Sequence, residues 1–473
     1  MCIRDSHNLD TYWGNVSPVP DNFKALFACV NIGELDHHEC HAASAFYQSP
    51  FEESLVFSYD GGGMRANQRG SWQRPDDWDY TVIYLASMKT GIRRVVKIPV
   101  NFGGFYNELC SYPNHVQWPA GSASMAGCVK LMGLSGWWPP DPLLVSKLKS
   151  IFLDTPFRHK DGGTIESSDE IVGRVEAFNF PYDINSTNYR NSLLELHHCA
   201  MFASNWQEVF TQLILDVLRP YVERYPYPIC VTGGCALNVL TNERIRTHFG
   251  REVFVPPNPS DCGLGIGGLA IHTDVDISNT VYSNFDILDR SSISNNGDWV
   301  APGTLADKIC EGKILGVVNG RSECGPRSLG NRSILCDPSI PDMKDILNKK
   351  VKGREWYRPF APMVRYEDRN KYFVFDGDSP YMSFACAVRE TYRDDLPAIT
   401  HVDGTARIQT VKESDNPLIY EVLTEMERKG NIPVMLNTSF NVKGKPILTT
   451  VEDSFWILNN TELDHVYIEA KLL

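Results

Sequence analysis

No apolar run in this 473-residue sequence approaches the roughly 20 residues that a membrane-spanning helix needs. None of its 13 cysteines form a C-x-x-C pair, so a structural zinc ribbon is not expected. The first residues, M-C-I-R-D-S-H-N, are polar and lack the apolar core of a signal peptide. We therefore expect a cytoplasmic protein that does not bind membranes and whose cysteines stay free thiols.

Basic residues are scarce relative to acidic ones, and the net charge at pH 7 is −13. Binding to nucleic acid needs a basic face, so this charge predicts no nucleic-acid partner. The chain is also too long for one ordinary hydrophobic core, which predicts two or more domains. A stretch rich in Ser, Asn and Gly is the best linker candidate. We place a first domain at 1–288, this linker at 289–303 and a second domain at 304–473.

One segment of this acidic protein carries a net positive charge. Residues 321–365 contain ten Lys and Arg against five Asp and Glu, a net charge of +5. A cationic island in an acidic protein marks a site for a small, highly charged anion. Phosphate is the natural candidate, because guanidinium groups bind it bidentately and backbone amides of glycine-bounded turns can join them.

Hydrophobic patterns predict alternating helices and strands, which indicates an α/β fold in both halves. Asp36 is the expected N-cap of a helix over 36–47. The glycines at 61–63 are expected to break the strand at 54–60. Other predicted helices lie at 191–224 and after the loop that begins at 258. The other predicted strands lie at 81–86, 94–100, 228–231, 254–257, 313–320, 381–388, 406–411 and 432–436.

The helix over 36–47 carries a candidate metal site. His37 and His41 are four residues apart and share one helix face, a spacing that can hold a metal ion. The alternative, which this spacing alone favours, is a polar helix face with hydrogen-bonded histidines. His38 is a rival ligand, or it supports the site.

Carboxylates and small residues follow predicted strands elsewhere in the first half. Asp60 ends a strand, at the rim where α/β folds place ligands, although a plain strand-to-turn aspartate is as common. Gly233, Gly234 and Asn238 lie between a buried strand and a helix, where a nucleotide can approach the backbone. Asp261 precedes C-G-L-G-I-G-G and is either a third metal ligand or a helix cap.

Short hydrogen-bond donors cluster beside strands in the second half. Thr405 and Arg407 lie in a turn that ends at a strand start. Ser439 and Asn441 lie in L-N-T-S-F-N, directly after an apolar strand. Hydroxyl and amide donors at such positions suit the binding of an oxyanion. A turn rich in Asn and Ser is the alternative, but these two donor clusters and the cationic island in one domain favour anion binding.

Several strings of residues, taken together, resemble one family. They span residues 36–450 and include D-H-H-E-C-H-A-A-S-A-F-Y, T-G-G-C-A-L-N-V-L-T-N, E-C-G-P-R-S-L-G-N-R-S, V-K-G-R-E-W-Y-R-P-F-A-P, H-V-D-G-T-A-R and L-N-T-S-F-N. The sequence resembles the O-carbamoyltransferases of the nodulation, cephamycin and tobramycin biosynthesis type.

The resemblance implies an N-terminal actin-like ATPase domain with a ribonuclease H-like core, short of its opening strands, and a C-terminal YrdC-like α/β domain. The second domain would make carbamoyl adenylate from carbamoyl phosphate and ATP, releasing pyrophosphate. The first would pass the carbamoyl group to a hydroxyl of a small acceptor such as a sugar or an antibiotic. A divalent metal, iron or zinc, is implied, with Mg²⁺ accompanying ATP and a homodimer as the expected assembly.

The resemblance also implies roles for individual residues. His37, His41 and Asp261 match metal ligands, with Asp60 as a fourth ligand or an adenylate contact. Catalytic roles are implied for His37, His38, Asp60, Lys352 and Arg354, with His38 as a candidate base. Contacts with a nucleotide in the first domain are implied for Lys130, Gly233, Gly234 and Asn238. Contacts with carbamoyl phosphate and ATP are implied for Arg327, Arg332, Lys352, Arg354, Arg358, Thr405, Arg407, Ser439 and Asn441.

Two positions depart from the family pattern. Cys128 precedes Lys130 where relatives carry an acid, and Met64 stands where many carry a glutamate. A catalytically impaired relative that binds anions and nucleotides is therefore one alternative. Another is an enzyme of the tRNA threonylcarbamoyl-modification type, which uses the same two folds. The acidic balance and the N-T-S-F-N cluster argue against this second alternative.

Overall fold

The computed structural model describes residues 35–64, 78–110, 126–153, 193–289, 293 and 298–473. The chain divides into two compact units. The first holds the residues up to Ser278 apart from 136–138 and 239–243, which belong with Asn279–Leu473 to the second. Among the described helices, none combines the length and the apolar character that crossing a membrane requires.

The first unit is built on a mixed five-stranded sheet. Its strands are β1 (Glu53–Met64), β2 (Trp78–Ser87), β3 (Gly91–Ile98), β4 (Ile229–Thr232) and β5 (Val253–Phe254). They lie in the order β3-β2-β1-β4-β5, with β1, β2 and β3 antiparallel and β1, β4 and β5 parallel. Because β1 and β4 are parallel neighbours, Asp60 and the glycine turn after Thr232 come to the same edge of the sheet.

Helices flank this sheet. They are α1 (His37–Tyr47), α2 (Phe102–Leu109), α3 (Ala126–Ser135), α4 (Pro142–Leu153), α5 (Leu193–Arg224), α6 (Val239–Phe249) and α7 (Leu264–His272). The predicted N-cap of α1 is confirmed, because the Asp36 side chain accepts a hydrogen bond from the Glu39 amide at 2.9 Å. The alanines and Phe46 of α1 pack on Val56, Val82 and Tyr84 of the sheet, which fixes the direction of its histidine face.

The glycines after Asp60 do not end β1, so this prediction was wrong. The strand continues to Met64, with a shift of register against β2 between Tyr59 and Gly63. A β-bulge of this kind re-aims side chains at the end of a strand. Gly63 is needed for a close approach, since a Cβ at this position would stand 2.1 Å from the His37 ring.

The second unit is built on a mixed ten-stranded sheet. Its order is β10-β11-β12-β9-β13-β8-β7-β14-β15-β6 in chain numbering. The strands are β6 (Asp298–Trp299), β7 (Leu315–Val318), β8 (Arg332–Cys336), β9 (Ala361–Arg365), β10 (Phe373–Val374), β11 (Phe384–Val388), β12 (Thr405–Val411), β13 (Val434–Ser439), β14 (His465–Ile468) and β15 (Lys471–Leu472).

Among the described residues, five helices accompany this sheet. Two of them contribute side chains to its main hydrophobic core. The helices are α8 (Pro302–Cys310), α9 (Met343–Ile346), α10 (Arg369–Tyr372), α11 (Pro417–Arg428) and α12 (Val451–Asn460). Apolar side chains of α8 and α11 pack against β7, β9 and β13. A turn of π-helical geometry, Leu347–Lys352, ends at Gly353 in the left-handed conformation and leads to β9. Such turns are frequent at functional sites.

Both mixed sheets and their helices confirm the α/β class. The predicted helix at 191–224 is confirmed from Leu193 onward. The strand predicted at 254–257 is observed as the two residues Val253–Phe254. Within the predicted linker at 289–303, Asp298–Trp299 pairs with β15 and Pro302 begins α8. Residues 290–292 and 294–297 lie outside the described part, and the domain limits stay a prediction.

Candidate metal centre and anion-binding site

Two histidines and two aspartates of the first unit meet at one point. His37 and His41 lie one turn apart on α1, and Asp60 lies near the end of β1. Asp261 begins the short 3₁₀ turn before α7. One potential ligand atom from each residue lies within 4.8 Å of all the others. The structure thus brings together the four residues that were predicted to bind a metal.

The donor atoms are spaced as one coordination sphere requires. The Nε2 atoms of His37 and His41 are 3.1 Å apart. His41 Nε2 lies 2.9 Å from Asp60 Oδ2 and 3.3 Å from Asp261 Oδ1. His37 Nε2 lies 3.8 Å and 3.5 Å from the same two oxygens. Ligands bound about 2.1 Å from a tetrahedral ion are about 3.4 Å from one another, which matches these separations.

The charges of the cluster also favour a cation at its centre. Burial lowers the pKa of His41, but hydrogen bonds with Asp261 and Asp60 outweigh burial and raise that pKa to about 9. Burial raises the pKa of Asp60, but hydrogen bonds with His37 and His41 outweigh burial and hold that pKa well below its usual range. Two carboxylates therefore face the imidazole nitrogens, and a divalent cation would neutralise them. The residues present fit a metal ion.

His38 is oriented away from this centre. Its Nδ1 lies 2.8 Å from the Ser58 hydroxyl, and its Nε2 lies 2.8 Å from the Asp79 carbonyl oxygen. Burial, followed by the charges of His37 and His41, lowers the pKa of His38 to about 3. A neutral imidazole with both nitrogens engaged supports α1. This geometry gives no support to the prediction that His38 is the catalytic base.

Asp79 and Arg94 hold the start of α1, and sequence patterns did not single them out. Arg94 donates to Asp79 Oδ2 at 2.8 Å and to Asp36 Oδ2 at 2.7 Å. Asp79 is only 1% exposed, and its carbonyl oxygen is hydrogen-bonded to His38 Nε2. No sequence pattern marked Asp79, which precedes the predicted strand at 81–86. Its partner lies on β3, so only the strand pairing reveals the connection.

Asp60 also ties the metal centre to the glycine turn after β4. Its Oδ2 accepts a hydrogen bond from the Gly234 amide at 3.0 Å. Gly233 has a φ of 90° and lies against β1, where a Cβ would stand 2.1 Å from the Tyr59 carbonyl oxygen. Glycine is required for this approach. The turn predicted to bind a nucleotide therefore adjoins the predicted metal ligands.

Asn238, at the end of this turn, belongs to a buried amide network. Gln207 and Asn238 exchange two hydrogen bonds through their side-chain amides, at 3.2 and 3.0 Å. The Tyr106 hydroxyl donates to Gln207 Oε1 at 2.6 Å. Lys130 is buried on α3. The network fixes Asn238 from α5, which sequence reasoning did not predict.

Four arginines of the second unit lie close enough for their charges to repel one another. We call these residues, Arg327, Arg354, Arg358 and Arg407, the arginine cluster. Burial, followed by the charge of neighbouring arginines, lowers the pKa of Arg327 to about 10 and that of Arg354 to about 9. The same two causes hold the pKa of Arg407 well below its usual range. This mutual repulsion is relieved when an anion binds among the guanidinium groups.

The arginine cluster contains a buried donor that has no hydrogen-bond partner among the described residues. Among the described residues, nothing hydrogen-bonds to the buried Nε of Arg407. Glu355 lies against the cluster, with its carboxylate 3.4 Å from Arg358. A buried donor without a partner and a local excess of positive charge are both corrected by a phosphate group.

Lys352 joins the arginine cluster to the L-N-T-S-F-N segment. Its Nζ donates to the carbonyl oxygens of Ser439 and Asn441, at 2.6 and 2.8 Å. It also donates to Asn441 Oδ1 at 2.5 Å. Burial, followed by the charges of Arg354 and Arg358, holds the pKa of Lys352 well below its usual range. The structure therefore brings three of the predicted phosphate contacts to one place beside the arginines.

Arg332 and Thr405 are engaged elsewhere. The Arg332 guanidinium is fully buried and donates to the carbonyl oxygens of Asn319, Gly320 and Asn331. It therefore shapes the loop before β8, and its predicted contact with phosphate has no geometric support. The Thr405 hydroxyl donates to Asp403 at 2.7 Å. This hydrogen bond stabilises the turn before β12.

Glu323 and Asn348 hold the loops that carry the arginine cluster, and sequence reasoning missed both. Glu323 is buried, and its Oε1 accepts hydrogen bonds from three backbone amides over 329–332. Asn348 Oδ1 accepts from Arg354 Nε at 2.7 Å. An acid inside a basic island was a usable signal for Glu323. No signal pointed to Asn348, because its role depends on how the turn folds back.

Comparison with known proteins gives a consistent result. A family model described as "Carbamoyltransferase N-terminus" matches residues 21–271. A second model, described as "Carbamoyltransferase C-terminus", matches residues 306–473. The two models together cover both units of the chain.

Individual relatives agree with the family models. Nodulation protein NolO of Bradyrhizobium diazoefficiens is 30% identical over 92% of this chain and 78% of its own length. Nodulation protein NolNO of Sinorhizobium fredii is 31% identical over 93% of this chain, which spans 64% of that protein. The 3'-hydroxymethylcephem-O-carbamoyltransferase of Amycolatopsis lactamdurans is 32% identical over 60% of this chain and 56% of its own.

Solved structures add nothing further on the fold. The crystal structure of HypF from T. kodakarensis is 12% identical and covers 53% of this chain and 38% of its own, with a TM-score of 0.31. A likeness at that level carries no argument.

Proposed function

Because this chain belongs to the carbamoyltransferase family, we propose that it transfers a carbamoyl group to a hydroxyl of a small-molecule acceptor. The acceptor would be a sugar, an antibiotic or another secondary metabolite. The name of the cephem enzyme gives a hydroxymethylcephem as the acceptor of that relative. The observation that carries the proposal is the arginine cluster with Lys352, a set of cations suited to carbamoyl phosphate and ATP.

We propose that the second unit has a YrdC-like fold and forms carbamoyl adenylate. Water would cleave carbamoyl phosphate to carbamate and phosphate. A carbamate oxygen would then attack the α-phosphorus of ATP, and the bond to pyrophosphate would break. Both reactants are anions, so cations must neutralise them before one can attack the other. The guanidinium groups and Lys352 supply that charge, and Mg²⁺ would accompany ATP.

We propose that the first unit has an actin-like fold and carries out the transfer. Its glycine turn, Gly233–Gly234, would lie against the adenylate, with Asp60 holding the Gly234 amide. A divalent metal, iron or zinc, would be held by His37, His41, Asp60 and Asp261 and would supply a Lewis acid. Transfer would form the ester bond between the acceptor oxygen and the carbamoyl carbon and release AMP.

Pyrophosphate release tests the proposal. With purified protein, ATP and carbamoyl phosphate, we expect pyrophosphate to form only when both substrates are present. Arg354→Gln should lower the rate by about 100-fold or more, the usual effect of removing one preorganised electrostatic contact. Arg321→Gln is the matched control, because Arg321 lies in the same basic window but donates to the carbonyl oxygens of Ser283 and Asn284.

Two results would contradict the proposal. Equal rates for wild type and Arg354→Gln would show that the arginine cluster does not take part in the reaction. Turnover that needs bicarbonate and threonine in place of carbamoyl phosphate would favour the tRNA-modifying alternative. Cytoplasmic location, a homodimer and the lack of a nucleic-acid partner stay predictions, which cell fractionation, light scattering and a tRNA-binding assay check.

A further inference from the structure

Trp356 is an exposed tryptophan that stands in the sequence between two members of the arginine cluster. It stands two residues after Arg354 and two before Arg358, and it is 43% exposed. Its neighbours Tyr357 and Phe360 are 2% and 1% exposed, so they anchor the same loop. A single exposed indole is common on protein surfaces. What distinguishes Trp356 is its position between two arginines of a cluster that is suited to phosphate.

One side-chain amide contacts both the Arg354 guanidinium and the backbone of Trp356. Asn348 Oδ1 accepts from Arg354 Nε at 2.7 Å, and Asn348 Nδ2 donates to the Trp356 carbonyl oxygen at 3.4 Å. The Arg354 guanidinium also lies 4.1 Å from the centre of the Phe360 ring. The Arg354 guanidinium and the backbone that carries the indole are therefore held by the same residue.

A second indole forms a corner with the first. The rings of Trp137 and Trp356 are 4.7 Å apart and nearly perpendicular, at 80°. Trp137 Nε1 donates to the Tyr357 carbonyl oxygen at 3.3 Å, and Lys344 Nζ lies 5.7 Å from the Trp137 ring. These contacts hold Trp137 in place, and Trp356 is the exposed member of the pair. Aromatic walls beside fixed positive charges suit a flat base that is joined to phosphates.

We propose that the exposed face of Trp356 stacks on the purine base of ATP, whose phosphates bind the arginine cluster. This inference rests on the proposed function and names the base subsite of its nucleotide. Two residues span at most about 7 Å, so the backbones of Arg354 and Arg358 each lie within that distance of Trp356, and their long side chains can reach the phosphates of a nucleotide whose base stacks there. Stacking tolerates any base, because every base has a flat π-face. The arginine cluster therefore supplies charge recognition and Trp356 supplies recognition of the ring.

Binding of ATP and of inorganic tripolyphosphate to the full chain separates these two parts. Calorimetry on wild type should show ATP binding more tightly than tripolyphosphate. Trp356→Ala should weaken ATP by about 5- to 150-fold, which corresponds to about 1–3 kcal/mol per stacked base. The same variant should bind tripolyphosphate like wild type, which also shows that it is folded. Trp356→Phe should keep most of the ATP affinity.

Trp299→Ala is the matched control. Trp299 is 75% exposed on β6 of the same unit, where it contacts Lys471, and its loss should change neither affinity. If Trp356→Ala weakens ATP and tripolyphosphate equally, or weakens neither, the base subsite is not at Trp356. If wild type binds neither ligand, the proposed anion site fails and this inference fails with it.

Discussion

At the scale of single residues, Arg407 carries a charge that the second unit does not balance. Its Nε is buried without a hydrogen-bond partner among the described residues, and three other arginines act on it. Arg407→Met should therefore raise the free energy of unfolding of the ligand-free protein by about 1–3 kcal/mol, the cost of an unsatisfied buried polar group. Urea unfolding measures this change, and the stabilisation that wild type gains from pyrophosphate should disappear.

Arg321→Met is the control for that experiment. Arg321 is exposed and donates to two carbonyl oxygens, so its loss should lower stability slightly and leave pyrophosphate binding intact. A fall in the stability of Arg407→Met, with pyrophosphate binding retained, would show that Arg407 serves packing. It would then have to be removed from the set of anion-binding residues.

At the scale of elements, the metal centre depends on how closely β1 approaches α1. A Cβ on Gly63 would stand 2.1 Å from the His37 ring, so Gly63→Ala must displace either the strand or the ring. We expect loss of bound metal, measured by elemental analysis. We also expect a fall of about 1–3 kcal/mol in the free energy of unfolding, which is typical of an overpacked core.

Gly61→Ala is the matched control in the same strand. A Cβ on Gly61 would meet nothing within 4 Å, so metal content should not change and stability should change by less than about 0.5 kcal/mol. Equal metal content in Gly63→Ala and wild type would mean that His37 does not need its present position. The four-residue centre would then be wrong as a ligand set.

At the scale of the whole molecule, local patterns predicted the elements better than their connections. The helix from His37 and the strand that begins near Glu53 followed from periodicity and an N-cap. The meeting of His37, His41, Asp60 and Asp261 was implied by family resemblance, because residues far apart in sequence reveal no mutual distance.

What escaped prediction depended on pairing between distant segments. Arg332 was expected to bind phosphate, yet its guanidinium satisfies carbonyl groups of a loop that forms only when β7 and β8 pair. His38 was predicted as a candidate base, and the structure places Ser58 and Asp79 against its two ring nitrogens. Asp79 and Arg94 showed no pattern, because their contact joins β2 to β3. Charge and residue type indicated which chemistry to expect, and pairing decided which side chains can perform it.

The two units hold separate charged centres, so each ligand should stabilise its own unit. Hydrogen exchange read by mass spectrometry tests this on the metal-loaded full chain. A chelator should speed exchange in α1 and β1, where three of the four predicted metal ligands lie. Pyrophosphate at about 100 times its Kd should stabilise by about 2.7 kcal/mol. Exchange through unfolding should then slow about 100-fold in β12 and the loop at 353–360. Protection of α1 by pyrophosphate, or of β12 by metal, would contradict this assignment, and Arg407→Met should lose the pyrophosphate effect alone.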